Sequence, residues 1–169
     1  MMADERQPVR WFLDIDGTIS PYGLTKPWRG PRLYGGPADS DLAVPYRSRL
    51  IKSIQRLHDS GLVEVVWLTT WDTEEIDAWT KVGLGPFPSV RRHKAGRDRW
   101  WKADAVQTWM RKHPERRVVW TDDDISLGGL RGLDKKRLLW IAPHPASGLT
   151  DKHITQIQAW VDVEGDSIR

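Results

Sequence analysis

Cysteine is absent from the 169 residues. That excludes a disulfide scaffold and any thiolate metal site. No apolar run approaches the roughly 20 residues that a transmembrane helix needs. The opening stretch, Met-Met-Ala-Asp-Glu-Arg-Gln, mixes charges and carries no apolar segment. No secretory leader and no membrane partner are therefore expected, and a cytoplasmic location is. Phe and Tyr are scarce, at two and three copies, against 11 Trp. Internal repeats and low-complexity segments are also missing. What remains is 39% hydrophobic and 29% charged, with a mean hydropathy of −0.56. The apolar residues fall in periodic runs, which argues for a folded core and against a disordered chain. The length suits a single domain, residues 1–169, rather than two.

The net charge of +3 is modest, but its distribution is uneven. Asp14 and Asp16 form one acidic cluster, and Asp122, Asp123 and Asp124 another. Of 23 acidic residues these are five, leaving 18 against 26 basic ones. Basic clusters stand at Arg91-Arg92-His93-Lys94, Arg111-Lys112-His113, Arg116-Arg117 and Lys135-Lys136-Arg137. A basic surface around an acidic pocket suits a polyanionic substrate. The plainer reading is a solvated surface with basic helix ends.

Val9–Ile15 is a short, mostly apolar run that predicts a buried strand. Residues 17–45 are rich in Gly and Pro, with Tyr22, Trp28 and Tyr34 interleaved, and predict a long loop or small flap. Leu50, Ile51, Ile54 and Leu57 predict a helix over 46–60, stopped by Gly61. Strands are expected at 62–68, 116–121 and 136–141. Helices are expected at 72–82, 100–113 and 150–163, the first opened by Asp72-Thr-Glu-Glu, a capping-box pattern. Strands that alternate with helices imply an α/β domain with a mostly parallel sheet and helices on both faces. Ligands of such sheets bind beyond the carboxyl ends of the strands.

The residues at those ends carry chemistry. The first strand runs into Asp14-Ile15-Asp16-Gly17-Thr18, and Gly17 permits a sharp turn. The second ends in Thr69-Thr70, hydroxyls able to bind an oxyanion, and the third in Thr121-Asp122-Asp123-Asp124. Lys102 opens a helix between them. So many carboxylates cannot stay ionised together without a cation, and all-oxygen ligands favour Mg²⁺. A carboxylate can serve as a covalent nucleophile, and a second can protonate the leaving oxygen and later deprotonate water. Thr69 and Lys102 would then hold the transferring phosphoryl group.

Asp14-x-Asp16-Gly17-Thr18, Thr69, Lys102 and Asp122-Asp123 resemble, in order, the four motifs of the haloacid dehalogenase-like (HAD) phosphohydrolase superfamily. Val66-Trp-Leu-Thr-Thr-Trp71, Gly83-Leu-Gly-Pro-Phe-Pro88, Trp101-Lys102, Val119-Trp-Thr-Asp-Asp-Asp124 and Gly148-Leu-Thr-Asp151 are similar to the HAD domain of actinobacterial and phage "Swiss Army knife" RNA repair proteins. The resemblance spans roughly residues 9 to 163. It implies a HAD-like Rossmannoid fold, capless or with a minimal flap. It implies Asp14 as nucleophile and Mg²⁺ ligand, and Asp16 as general acid/base and metal ligand through its backbone carbonyl. Thr69 and Lys102 would bind phosphate, and Asp122 and Asp123 would ligate the metal. Thr70, Lys94 and the pair Asp123–Asp124 are the alternative registers. A second Asp-x-Asp, Asp39-Ser-Asp41, lies in the polar loop. Haloalkanoate dehalogenation is disfavoured, because relatives with that activity lack an acid where Asp16 stands. No P-loop accompanies the motifs, so the chain departs from the multidomain repair proteins in lacking a kinase or ligase signature.

The function implied is a Mg²⁺-dependent phosphomonoesterase acting through an aspartyl-phosphate on a nucleic-acid end, with a 3′-phosphate favoured and RNA repair proteins as partners. The alternatives are a phosphatase of free nucleotides or small phosphoesters, and a catalytically silent nucleic-acid-binding or assembly module. Trp71, two residues past Thr69, reads first as packing and second as a base-stacking platform. Trp28, Tyr22 and Tyr34 are further stacking candidates on the flap.

Overall fold

The apolar runs assemble into one parallel sheet. The computed structural model describes residues 7–34, 43–92 and 100–163. Lys94, His93 and the Asp39-Ser-Asp41 triplet lie outside the described residues. The sheet consists of β1 (Val9–Leu13), β4 (Val63–Trp67), β5 (Val118–Thr121) and β6 (Leu138–Ile141), in the spatial order β4-β1-β5-β6. All three pairings are parallel. The remaining strands, β2 (Arg32–Tyr34) and β3 (Ala43–Pro45), form a separate antiparallel ribbon.

Side-chain alternation along the strands divides the core in two. Trp11 and Leu13 of β1, with Val63, Val65 and Trp67 of β4, face one side and pack on α1 (Ser48–Asp59) and α4 (Asp151–Asp162). Phe12, Val66, Val118 and Trp120 face the other and pack on α3 (Trp101–Lys112). Both faces are thus covered, as near-continuous apolar strands require. Trp11, Trp67, Trp79 and Trp120 are fully buried. The Trp11 indole N–H donates to Thr121 Oγ1 at 2.9 Å, so even the polar edge of that ring is paired.

Two expectations change in detail. The segment at 72–82 is only in part α-helical: α2 covers Thr73–Asp77 and tightens into a 3-10 turn over Ala78–Val82, ended by Gly83 at φ 83°. The capping box is present, with Asp72 accepting from the Glu75 backbone and Glu75 from the Asp72 backbone. The flap is more than a loop. Ile19, Ser20 and Leu33 are buried, and β2 and β3 pair in it. The hydrophobic insertion of Leu33 anchors the ribbon to the core.

Several predicted basic-surface residues support the backbone instead. Arg116 is buried and reaches Pro8 O and Glu64. Arg117 donates to the carbonyls of Trp160 and Val161 at the end of α4. Arg137 donates to the carbonyls of His113 and Arg116. Among the described residues no helix is long and apolar enough to cross a membrane.

Candidate active site

The strand order creates the site. From β1 the chain crosses to β4 on one side and then returns past β1 to β5 on the other. Crevices form at such reversals, outside the carboxyl ends of the strands. Asp14 follows β1 and Asp122 follows β5, so the two acids stand at neighbouring strand ends. Their backbones continue the ladder: Asp14 N donates to Thr121 O and Asp122 N to Ile141 O.

After Asp14 the chain closes a tight turn. The backbone N–H groups of Thr18, Ile19 and Ser20 all donate to Ile15 O. Gly17 sits at φ 65°, and a Cβ there would stand 2.5 Å from the Asp123 carboxyl carbon and 2.9 Å from the Tyr22 ring. Only glycine satisfies both the torsion and the space. Gly148 (φ 62°) does the same behind the turn, where a Cβ would lie 2.6 Å from Thr18 O. Leu149 N donates to that same oxygen at 2.7 Å and clamps the turn.

Three carboxylates and one ammonium meet in the crevice. Lys102, in the first turn of α3, places Nζ 2.8 Å from Asp14 Oδ1 and 2.6 Å from Asp122 Oδ2. All three residues are buried, with Asp122 at 0% exposure. Asp122 Oδ1 accepts the Asp124 backbone N–H at 2.9 Å. Asp123 is half-buried, and its Oδ2 accepts the Tyr22 hydroxyl at 3.0 Å. Asp16 is exposed at the rim, and its Oδ2 accepts the Trp71 indole N–H at 2.8 Å.

Burial, joined by the neighbouring Asp122 charge, pushes Asp14 up to about 7 even though Lys102 pulls the other way. Burial also raises Asp122, against the opposing pull of Lys102. Asp123 is raised by burial as well, opposed by the Tyr22 hydrogen bond. Burial pulls the Lys102 ammonium down, but Asp14 and Asp122 more than offset it, so its pKa is raised overall. One cation shared by several buried acids leaves the site short of positive charge. Asp14, Asp122 and Asp123 each offer a carboxylate oxygen, all within 4.8 Å of one another. Three carboxylates against one ammonium match a divalent cation in charge, and the all-oxygen donor set matches a hard one.

The cleft over these groups has a volume of about 420 Å³. Besides Asp14, Asp16, Lys102 and the three consecutive acids, it is lined by Tyr22, Thr70 and Trp100. The predicted set is thus brought together with one exception. Thr69 is buried, and its Oγ1 accepts the Trp71 backbone N–H at 3.3 Å, whereas exposed Thr70 lines the cleft. Of the acidic run, Asp122 and Asp123 join Asp14 in the oxygen cluster, while exposed Asp124 lines the cleft. Sequence reasoning missed the hydrogen bonds from Tyr22 to Asp123 and from Trp71 to Asp16. The partners are 101 and 55 positions apart, so no local spacing reports them. Trp100 was also missed as a lining residue. It packs tilted on Trp120 at 5.4 Å, with Lys102 Nζ 5.6 Å from its ring. Its place two residues before Lys102 was the available signal.

Among solved structures, the chain is similar to the HAD domain of effector protein Lem4 from Legionella pneumophila, at 16% identity and a TM-score of 0.58, covering 92% of this chain and 96% of that one. It also aligns with a hypothetical protein from Xanthomonas campestris at 15% identity and a TM-score of 0.49, covering 99% and 94%. No curated protein matches the chain. The first likeness establishes the fold. Residues 11–154, nearly the whole sheet and the entire acidic cleft, match the family described as the HAD domain in Swiss Army Knife RNA repair proteins, and the chain belongs to that family.

Proposed function

We propose that the protein is a Mg²⁺-dependent phosphomonoesterase that works through an aspartyl-phosphate on Asp14, acting on a nucleic-acid end with a 3′-phosphate favoured. The observation that carries this reading is the convergence of Asp14, Asp122 and Asp123 around Lys102, with Asp16 two residues beyond Asp14 on the rim. The family's association with RNA repair supports the substrate class. The open cleft, with aromatic Tyr22 and Trp100 in its lining, suits a substrate larger than the phosphate itself.

In this reading an Asp14 carboxylate oxygen attacks phosphorus. The bond from phosphorus to the leaving oxygen breaks as the Asp16 carboxyl gives that oxygen its proton. Water then attacks the phosphorus of the aspartyl-phosphate and passes a proton to Asp16. The Asp14–phosphorus bond breaks, and inorganic phosphate leaves. Lys102 stays charged throughout and holds Asp14 in place, and its ammonium would offset charge on the phosphoryl group that Asp14 receives. Thr70 takes the exposed hydroxyl position on the cleft, and Thr69 braces the loop that carries it. Mg²⁺ held by Asp14, Asp122, Asp123 and the Asp16 backbone carbonyl would offset the phosphoryl charge.

The test is phosphate release from a 3′-phosphorylated RNA oligonucleotide with Mg²⁺, for wild type and Asp14→Asn. Release that stops with the variant and with a chelator is the expected result. Release from a mononucleotide or a small phosphoester alone would replace the polymer end with a small substrate. No release from any phosphoester would leave a silent binding module on this fold.

A further inference from the structure

Trp71 stands where a packing or base-stacking tryptophan was expected, yet its polar edge is committed elsewhere. The indole N–H donates to Asp16 Oδ2 at 2.8 Å. We propose that Trp71 is a positioning residue that fixes the exposed Asp16 carboxyl for proton transfer. The inference rests on the aspartyl-phosphate reading above and assigns a role that neither the motifs nor the family description contains.

Asp16 needs such a tether. It is exposed at the rim, while Asp14 is buried and gripped by Lys102. No other side-chain hydrogen bond to Asp16 is seen among the described residues. A carboxyl left to sample rotamers in water delivers its proton from a fraction of its orientations only. Trp71 can supply the missing constraint because it is itself held. Its backbone N–H donates to Thr69 Oγ1 at 3.3 Å. Its ring packs at 6.2 Å on that of Trp79, which is fully buried. The next residue, Asp72, caps α2. The indole therefore presents its N–H from a rigid mount on the β4 side of the crevice.

The geometry also divides the work of the two oxygens. An indole N–H is a donor only. It occupies Oδ2, so Oδ1 is the better seat for the exchangeable proton. In the first half-reaction that proton leaves Oδ1 for the leaving oxygen as the bond from phosphorus to that oxygen breaks and the bond to Asp14 forms. In the second, water returns a proton to Oδ1 as its oxygen bonds to phosphorus and the Asp14–phosphorus bond breaks. The indole N–H exchanges nothing in either step.

Leaving-group dependence isolates this role from packing. An alkyl phosphate such as β-glycerophosphate needs its leaving oxygen protonated. A p-nitrophenyl phosphate leaves as a stable anion and needs little help. The full chain with Mg²⁺ is assayed on both, as wild type, Trp71→Phe, Asp16→Asn and the double variant. Phe keeps the ring and removes the donor. The expected result is that the kcat/KM ratio of the aryl to the alkyl ester rises by about tenfold in Trp71→Phe. In the Asp16→Asn background the same change should shift the ratio no further. An equal loss on both esters, or no change in the ratio, would make Trp71 a packing residue and overturn the proposal. A wild type inactive on both esters and on the 3′-phosphorylated RNA oligonucleotide would overturn the aspartyl-phosphate reading and this role with it. Where the oligonucleotide alone is cleaved, a fall in kcat in Trp71→Phe that disappears in the Asp16→Asn background supports the role, and a fall that persists there overturns it.

Discussion

Lys102 Nζ lies 2.8 Å from Asp14 Oδ1 and, from the same nitrogen, 2.6 Å from Asp122 Oδ2, so one ammonium ties the ends of two neighbouring strands together. Removing it leaves two buried carboxylates without their cation. Breaking a buried pair by deleting one partner costs about 3–5 kcal/mol. Lys102→Met is therefore expected to lower the melting temperature of the metal-free protein at pH 8 and to abolish phosphate release. At pH 5 the loss of stability should be smaller, because protonated Asp14 needs no counter-ion. Melting curves at the two pH values check this, and an equal loss at both would contradict the shared-cation account.

Asp14, raised by burial and Asp122 to about 7, has a definite sign in the stability of the fold. A group whose folded pKa exceeds its unfolded value stabilises fully below the unfolded value and loses that contribution as pH rises through the folded one. For Asp14 the loss runs from about pH 4 to about pH 7. Asp122 and Asp123 shift in the same direction, and Lys102 remains charged over that window. Metal-free protein is thus expected to be more stable at pH 5 than at pH 8, as far as this cluster is concerned. Mg²⁺ should raise the melting temperature more at pH 8 than at pH 5. Asp14→Asn, which removes one of the crowded charges, is expected to stabilise the metal-free protein at pH 8 by about 1–3 kcal/mol. Thermal melts with and without Mg²⁺ and a chelator decide the point.

Much of this was legible in the sequence because the signals were local. Val9–Leu13 and Val63–Trp67 announce strands by their apolar runs, and Leu50, Ile51, Ile54 and Leu57 announce α1 by their spacing. Acids at the ends of such strands share the carboxyl edge of a parallel sheet, and the resemblance to the four motifs is what paired Asp14 with Asp122 before the strand order was seen. What was illegible depends on irregular backbone and on long-range closure. Adjacent Thr69 and Thr70 both lie in the bend after β4, one buried and the other exposed, and no periodicity reports which one that bend leaves open. Tyr22 reaches Asp123 only because the flap folds back over the strand ends. Arg116, Arg117 and Arg137 read as surface charge until the carbonyls they serve are in view.

Gly17 is the position where backbone and site are most tightly joined. Gly17→Ala adds a Cβ at φ 65°, 2.5 Å from the Asp123 carboxyl carbon. The left-handed torsion alone costs about 1–2 kcal/mol. The carboxylate must also move, and with it the hydrogen bond from Tyr22. The expected outcome is a folded protein with a lowered melting temperature whose Mg²⁺ requirement is raised about tenfold, in the range seen when metal-ligand supports are lost. Tyr22→Phe should raise the requirement less, because it removes the hydrogen bond without displacing Asp123. Titration of activity against Mg²⁺ separates the two variants, and curves for both that match the wild type would show that Asp123 contributes nothing to metal binding.

The last prediction concerns substrate size. Ser89 bridges Trp67 in parallel and Val90 N donates to Trp67 O, so exposed Arg91 and Arg92 continue past the carboxyl end of β4, on the side of the sheet where the cleft opens. The other basic clusters contribute differently: Arg116 and Arg117 sit at the entry to β5, at the far end of the strands, and are tied to backbone carbonyls. Arg91 and Arg92 do not line the cleft, so any effect they have falls on the neighbouring phosphates of a polymer end and not on a small ester held in the cleft. Arg91→Glu with Arg92→Glu is therefore expected to raise KM for a 3′-phosphorylated oligonucleotide about tenfold at low salt, and to flatten its salt dependence. The kcat/KM for p-nitrophenyl phosphate should change far less, because long-range charge acts on encounter with a polyanion rather than on the chemical step. If both substrates respond alike, the pair acts through the site rather than on the polymer. If neither responds, the oligonucleotide approaches from another side, and the flap arginines Arg29 and Arg32 become the next to exchange.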